Sequence, residues 1–136
     1  MLLQRFGIIL EKKEEVNMSN DKLFYGIDFD GTLCENDFPN IGKPKRAIIN
    51  YVKKLKANGH YIGLWTCREE KLLDEAVEWC KEHGIIFDTI NANLPERIAK
   101  WGCDCRKVGY DYVIDDKNLL IEDIEYIMDR FVSQNV

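Results

Sequence analysis

Acidic residues recur in this sequence where the chain changes direction. Asp28 and Asp30 flank Phe29 just before Gly31, and Asp115 and Asp116 follow the apolar pair Val113-Ile114. Carboxylates gathered at one spot repel one another strongly unless a cation sits among them. Mg²⁺ suits such a set, because it is hard and takes oxygen ligands from carboxylates, water and phosphate. The same cluster therefore points to a phosphorylated substrate, whose oxygen completes the metal shell. Asp28 and Asp30 are two apart, and where a strand ends their side chains can diverge. One carboxylate can then attack phosphorus, forming an aspartyl-phosphate, while the other handles the proton of the leaving oxygen. Gly31 lets the chain turn beside the phosphate. Thr66 can offer a hydroxyl and a backbone N–H to phosphate oxygens, and a lysine is needed to offset the charge.

These residues need elements to hold them. Leu23 to Phe29 is apolar and aromatic, which predicts a buried strand. Residues 34–42, CENDFPNIG, predict a loop or flap, and Pro44 suits the first turn of a helix. Ala47, Ile48, Tyr51, Val52 and Leu55 continue that helix to Asn58-Gly59. A strand is expected over His60 to Trp65, and a helix over Glu69 to His83 with Gly84 as its stop. Ile85 to Ile90 predicts a weaker strand, and Pro95 a short helix carrying Ile98 and Trp101. Tyr110 to Ile114 predicts the last strand and Leu119 to Phe131 the last helix. Strands alternating with helices predict an α/β fold, a Rossmann-like doubly wound parallel sheet with flanking helices. Ligands in such sheets sit beyond the carboxyl ends of the strands, where Asp28, Asp30, Thr66, Asp115 and Asp116 all fall.

Three motifs now stand in order. D-F-D-G-T-L at 28–33, L-W-T at 64–66 and V-I-D-D at 113–116 resemble the first, second and fourth motifs of the haloacid dehalogenase (HAD) superfamily. The resemblance covers residues 23–120 and implies a Mg²⁺-dependent phosphomonoester hydrolase. It implies Asp28 as nucleophile and metal ligand, and Asp30 as acid/base with its carbonyl on the metal. It implies Thr66 on the phosphoryl group, and Asp115 and Asp116 completing the metal site, with Asp116 favoured as the direct ligand. The third motif is a lone lysine. Lys107 is the choice, and Lys100 and Lys43 are its rivals. Substrate contacts are expected from Thr32, Cys67, Arg68 and Phe38.

The gaps between motifs leave no room for a large cap domain. Capless relatives act on large or exposed phosphates, or borrow a neighbouring subunit as a lid. The expected partner is thus a phosphorylated small molecule or a nucleotide or polynucleotide end, and a homo-oligomer is the further expectation. The motif set and length resemble small HAD hydrolases of bacteria and their phages.

Each residue also has a plainer reading. Asp-Gly marks turns, and Asp115-Asp116 could cap the helix that follows. Arg68 could sit in a surface ion pair, and the three tryptophans belong more often to cores. Two other functions compete. A signalling receiver also phosphorylates an Asp in an acidic pocket, but its acidic pair follows the first strand and its phosphoacceptor comes mid-chain, whereas here D-x-D-G-T comes first and the acidic pair last. A catalytically idle binding protein on the same scaffold is the third reading.

The totals bound the rest. The chain has 136 residues, enough for one domain with a core, expected over 18–136. A hydrophobic fraction of 46%, a charged fraction of 32% and a net charge of −5 describe a globular chain without an overall basic face for nucleic acid. Five cysteines at irregular spacing include a C-x-C at Cys103 and Cys105, which is not the C-x-x-C of zinc ribbons or redox sites. Free thiols in a reducing cytoplasm are expected. No run is apolar enough for a membrane span. Residues 1–17 are set apart. Lys12-Lys13-Glu14-Glu15-Val16 before Met18 can be encoded by a purine-rich ribosome-binding sequence, so the natural start is expected at Met18.

Overall fold

The expected first strand forms as β1 (Phe24–Ile27), with all four residues buried. The computed structural model describes residues 21–134, so the expected extension 1–17 lies outside the described residues. After β1 come the strands β2 (Cys34–Asp37) and β3 (Asn40–Pro44), then helix α1 (Arg46–Ala57). Strand β4 (Tyr61–Leu64), helix α2 (Glu70–Glu82), strand β5 (Thr89–Ile90) and helix α3 (Pro95–Trp101) follow. Strand β6 (Tyr112–Ile114) and helix α4 (Ile121–Gln134) end the described chain.

Four strands form one parallel sheet in the order β5-β4-β1-β6. Side chains alternate across it, as strand geometry requires. Tyr25 and Ile27 point into a core shared with Ile49, Val52 and Leu55 of α1 and with Ala76 and Cys80 of α2. Phe24 points to the other face, where it meets Leu94, Val108 and Tyr110. The result is a mixed α/β fold, Rossmann-like, with a parallel sheet flanked by helices. The chain steps from β1 out to β4 and β5, then returns to the far side of β1 for β6. That reversal opens a crevice at the carboxyl end of β1, where such sheets bind ligands.

Close packing over the sheet rests on glycine. Gly26 and Gly63 are register partners on β1 and β4, and the Tyr110 ring lies on both. A Cβ at Gly26 would come within 2.5 Å of that ring.

Three sequence expectations change. Residues 34–44 are an antiparallel hairpin where the sequence predicts a loop or flap over 34–42, with Asn36 opposite Ile41 and Asp37 opposite Asn40. Pro44 ends β3 instead of opening α1, and Lys45 stands at the N-cap position without a side-chain capping hydrogen bond. The strand expected over Ile85 to Ile90 shrinks to Thr89–Ile90, because the Asp88 carboxylate itself accepts the Ile62 N–H at 2.8 Å. Among the described residues, no helix is long and apolar enough to cross a membrane.

Candidate active site

The carboxyl ends of β1, β4 and β6 deliver the expected residues to one cleft. The Trp65 N–H donates to the Ile27 carbonyl and the Asp28 N–H to the Ile114 carbonyl, so β1 is held on both sides up to its end. The cleft encloses about 400 Å³ and is lined by Asp28, Asp30, Asn36, Phe38, Thr66, Cys67, Arg68, Asp115, Asp116 and Lys117. Carboxylate oxygens of Asp28, Asp115 and Asp116 all lie within 4.8 Å of one another.

Thr32 ties two of these carboxylates together. Its hydroxyl donates to Asp28 Oδ2 at 2.8 Å and accepts the Asp116 N–H at 3.0 Å. Gly31, at φ +89°, lets the chain pass so close to Asp116 that a Cβ there would collide with its carboxylate. Lys45 Nζ donates to the Gly31 carbonyl at 2.8 Å and steadies the same turn. Burial, followed by the hydrogen bond with Asp116 and the charges of Asp115 and Asp116, pushes the Asp28 carboxyl up to about 7, partly offset by the Thr32 hydroxyl. At Asp116 the cost of burial is outweighed by hydrogen bonds from Asp28 and Asp115, which hold its carboxyl below the usual range. A divalent cation would compete with protons for these oxygens.

Asp30 faces a different partner. Arg68 is 1% exposed. Its Nε and Nη2 each donate to one Asp30 oxygen at 2.8 Å. Its remaining donors reach the hairpin, Nη1 to the Pro39 carbonyl at 3.2 Å and Nη2 to the Asn40 carbonyl at 2.9 Å. The guanidinium also lies over the Phe29 and Phe38 rings, at 5.0 and 5.1 Å from their centroids.

A solved structure, of a conserved protein coded by a locus from Bacteroides thetaiotaomicron, is similar to this chain at 35% identity. The match has a TM-score of 0.65 and covers 81% of this chain and 91% of that one. The chain belongs to the family of that protein. No family model matches the chain, and no curated protein matches it. The Bacteroides relative is described only as a conserved protein, so kinship with it leaves the chemistry to be argued from the residues of the site.

Within this family's fold the expected residues separate into groups. Asp28, Asp30, Thr66, Asp115 and Asp116 come together, and Cys67, Arg68 and Phe38 line the same cleft. Arg68, expected on substrate or in a surface pair, is instead buried with its donors spent on Asp30 and the hairpin. Thr32, expected on substrate, is 4% exposed, does not line the cleft and braces the carboxylates from behind. Lys107 is exposed and is not among the lining residues, nor are Lys100 and Lys43. Lys117 is the lysine that lines the cleft.

Sequence reasoning missed Asn91. Its side chain accepts the Thr66 N–H at 2.9 Å and donates to the Thr66 carbonyl at 3.0 Å. The Thr66 N–H is therefore occupied, and only its hydroxyl is offered to a ligand. The signal was faint: one Asn just after a short strand, at φ 50°, where Asn is among the residues that tolerate a left-handed backbone.

Proposed function

We propose that this chain is a Mg²⁺-dependent phosphomonoester hydrolase of the HAD type that acts through an aspartyl-phosphate on Asp28. The observation that carries the reading is the convergence of the Asp28, Asp115 and Asp116 carboxylates within 4.8 Å, beside Asp30 and Thr66. The donor set fits a hard cation, being all carboxylate oxygen. Asp28, Asp115 and Asp116 would hold Mg²⁺, with the Asp30 backbone carbonyl as a further donor. When bound, the ion supplies Lewis-acid neutralisation of phosphoryl charge.

The chain's own residues do the rest. An Asp28 oxygen attacks phosphorus, the P–O bond to the leaving group breaks, and the phosphoryl group rests on Asp28. Asp30 protonates the leaving oxygen and later accepts a proton from the attacking water. Its bidentate partner Arg68 fixes its direction. The Thr66 hydroxyl donates to a phosphoryl oxygen, and Lys117 takes the charge-offsetting role expected of Lys107.

The hairpin of β2 and β3 fills the chain between β1 and α1, which supports reading the protein as capless. Phe38, 57% exposed at the cleft, offers a flat apolar face to whatever carries the phosphate. Ile121, Ile127 and Met128 of α4 are exposed, which supports the homo-oligomer expectation. Cytoplasmic placement remains part of the same proposal.

A catalytically idle phosphate-binding protein is the second reading, favoured by the position of Lys107 outside the cleft lining. Phosphate release from a panel of nucleotides, 3′- and 5′-phosphorylated oligonucleotides and sugar phosphates decides between them. Metal-dependent release from one class is expected. Binding of Mg²⁺ and phosphate esters without release from any would favour the second reading.

A further inference from the structure

Cys103 and Cys105 take no part in the chemistry proposed for the cleft. Both are exposed free thiols, and their Sγ atoms lie 3.1 Å apart. A disulfide needs a separation of about 2.05 Å, so bond formation asks for an approach of about 1 Å.

The loop that carries them is anchored. Asn93, 2% exposed, donates from Nδ2 to Asp104 Oδ1 at 2.8 Å and to the Cys105 carbonyl at 3.2 Å. Its backbone N–H also reaches Asp104 Oδ1, at 3.2 Å. Its Oδ1 accepts the Gly109 N–H at 2.6 Å. One buried side chain thus pins the residue between the two cysteines, the second cysteine itself and the end of the loop.

The other three thiols are placed differently. Cys34 and Cys80 are buried, and burial pushes the Cys80 thiol up to about 12, out of reach of oxidants in solution. Cys67 is exposed and lines the carboxylate-rich cleft.

We propose that Cys103 and Cys105 form a redox modification site, a dithiol that low-molecular-weight disulfides convert reversibly to an intramolecular Cys103–Cys105 bond. One thiolate attacks a sulfur of glutathione disulfide and releases one glutathione thiolate. The neighbouring cysteine, its proton lost to solvent, then attacks the protein sulfur and expels the second glutathione. The balance is protein dithiol plus glutathione disulfide giving protein disulfide plus two reduced glutathiones. Excess reduced glutathione runs it backward. The 3.1 Å separation makes the second step intramolecular, which is why the mixed disulfide does not persist.

The test equilibrates the full chain in buffers of reduced and oxidised glutathione, quenches with acid and alkylates the remaining thiols. Tryptic peptides are then weighed; residues 101–106 hold both cysteines. That peptide is expected to lose two hydrogens and resist alkylation at a glutathione ratio about tenfold more reducing than the one that modifies Cys67. Cys103→Ser is expected to leave one glutathione on Cys105, and Cys105→Ser one on Cys103. A wild-type 101–106 peptide that carries glutathione, or that stays alkylated on both thiols until Cys67 is modified, overturns the proposal. The readout needs no enzymatic activity, so it stands or falls apart from the phosphatase reading.

Discussion

Arg68 meets both carboxylate oxygens of Asp30 at 2.8 Å from a position that is 1% exposed. The same guanidinium holds the carbonyls of Pro39 and Asn40, so the candidate acid/base and the hairpin over the cleft share one anchor. Its four N–H···O contacts and two ring faces leave little of the group for a ligand. A pair this buried is expensive to break, because the abandoned carboxylate keeps its desolvation cost. Arg68→Met is expected to lose about 3–5 kcal/mol in urea unfolding. Arg68→Lys keeps the charge and loses the two-pronged geometry. In that variant, hydrogen exchange is expected to accelerate at 36–42 while β1 and β4 stay protected. A loss below about 1 kcal/mol for Arg68→Met would place the pair among ordinary surface contacts.

The Asp28 carboxyl, pushed up to about 7, makes metal-free stability depend on pH. Its folded value lies above the unfolded one of about 3.9, so the folded chain holds the extra proton between those limits. Stability from this group is full below about pH 4 and is lost as pH rises through about 7. The lowered Asp116 carboxyl works the other way, and its contribution is lost as pH falls below the normal Asp range. Asp28→Asn removes the first term. In a metal chelator at pH 8 the variant is expected to be more stable than wild type by on the order of 1 kcal/mol, and so to melt higher, solvent screening keeping the difference small. The difference should vanish near pH 4. An equal melting temperature at pH 8 would contradict the burial argument.

Metal and proton compete for the same oxygens. Mg²⁺ affinity by calorimetry is expected to weaken by up to about tenfold per pH unit below pH 7. Asp116→Asn is expected to weaken it further. Affinity independent of pH between 5 and 8 would place the ion elsewhere.

Gly31 tests the geometry of the turn. Gly31→Ala forces a side chain into φ +89° and into the Asp116 carboxylate. A cost of about 1–3 kcal/mol and loss of Mg²⁺ binding are expected. Retained binding would mean that Asp116 can move without consequence.

The sequence revealed the acidic site because each of its residues ends an apolar strand. Ile27 before Asp28, Leu64 before Trp65-Thr66 and Ile114 before Asp115 are pattern enough to align three strand ends on one edge. The hairpin was not legible, since β2 and β3 are short, polar and mostly exposed, with no apolar alternation to read. The truncation of β5 depends on Asp88 capping the ladder, a tertiary contact. Arg68 reads from sequence as a substrate contact or a surface charge because its partners, Asp30 and the hairpin carbonyls, are distant in sequence. Lys117 and Asn91 lacked a pattern for the same reason. Lys117 reaches the cleft lining, and Asn91 the Thr66 backbone, only once the strands stand side by side.

Hydrolysis of an aryl phosphate, with and without Mg²⁺, for wild type and Asp28→Asn, is the decisive test of Asp28 as the nucleophile of a metal-dependent phosphatase. Mg²⁺-dependent turnover is expected in the wild type, and a loss of at least about 10³-fold in Asp28→Asn, with the fold retained. Turnover that survives Asp28→Asn unchanged, or that proceeds equally in a metal chelator, would contradict it.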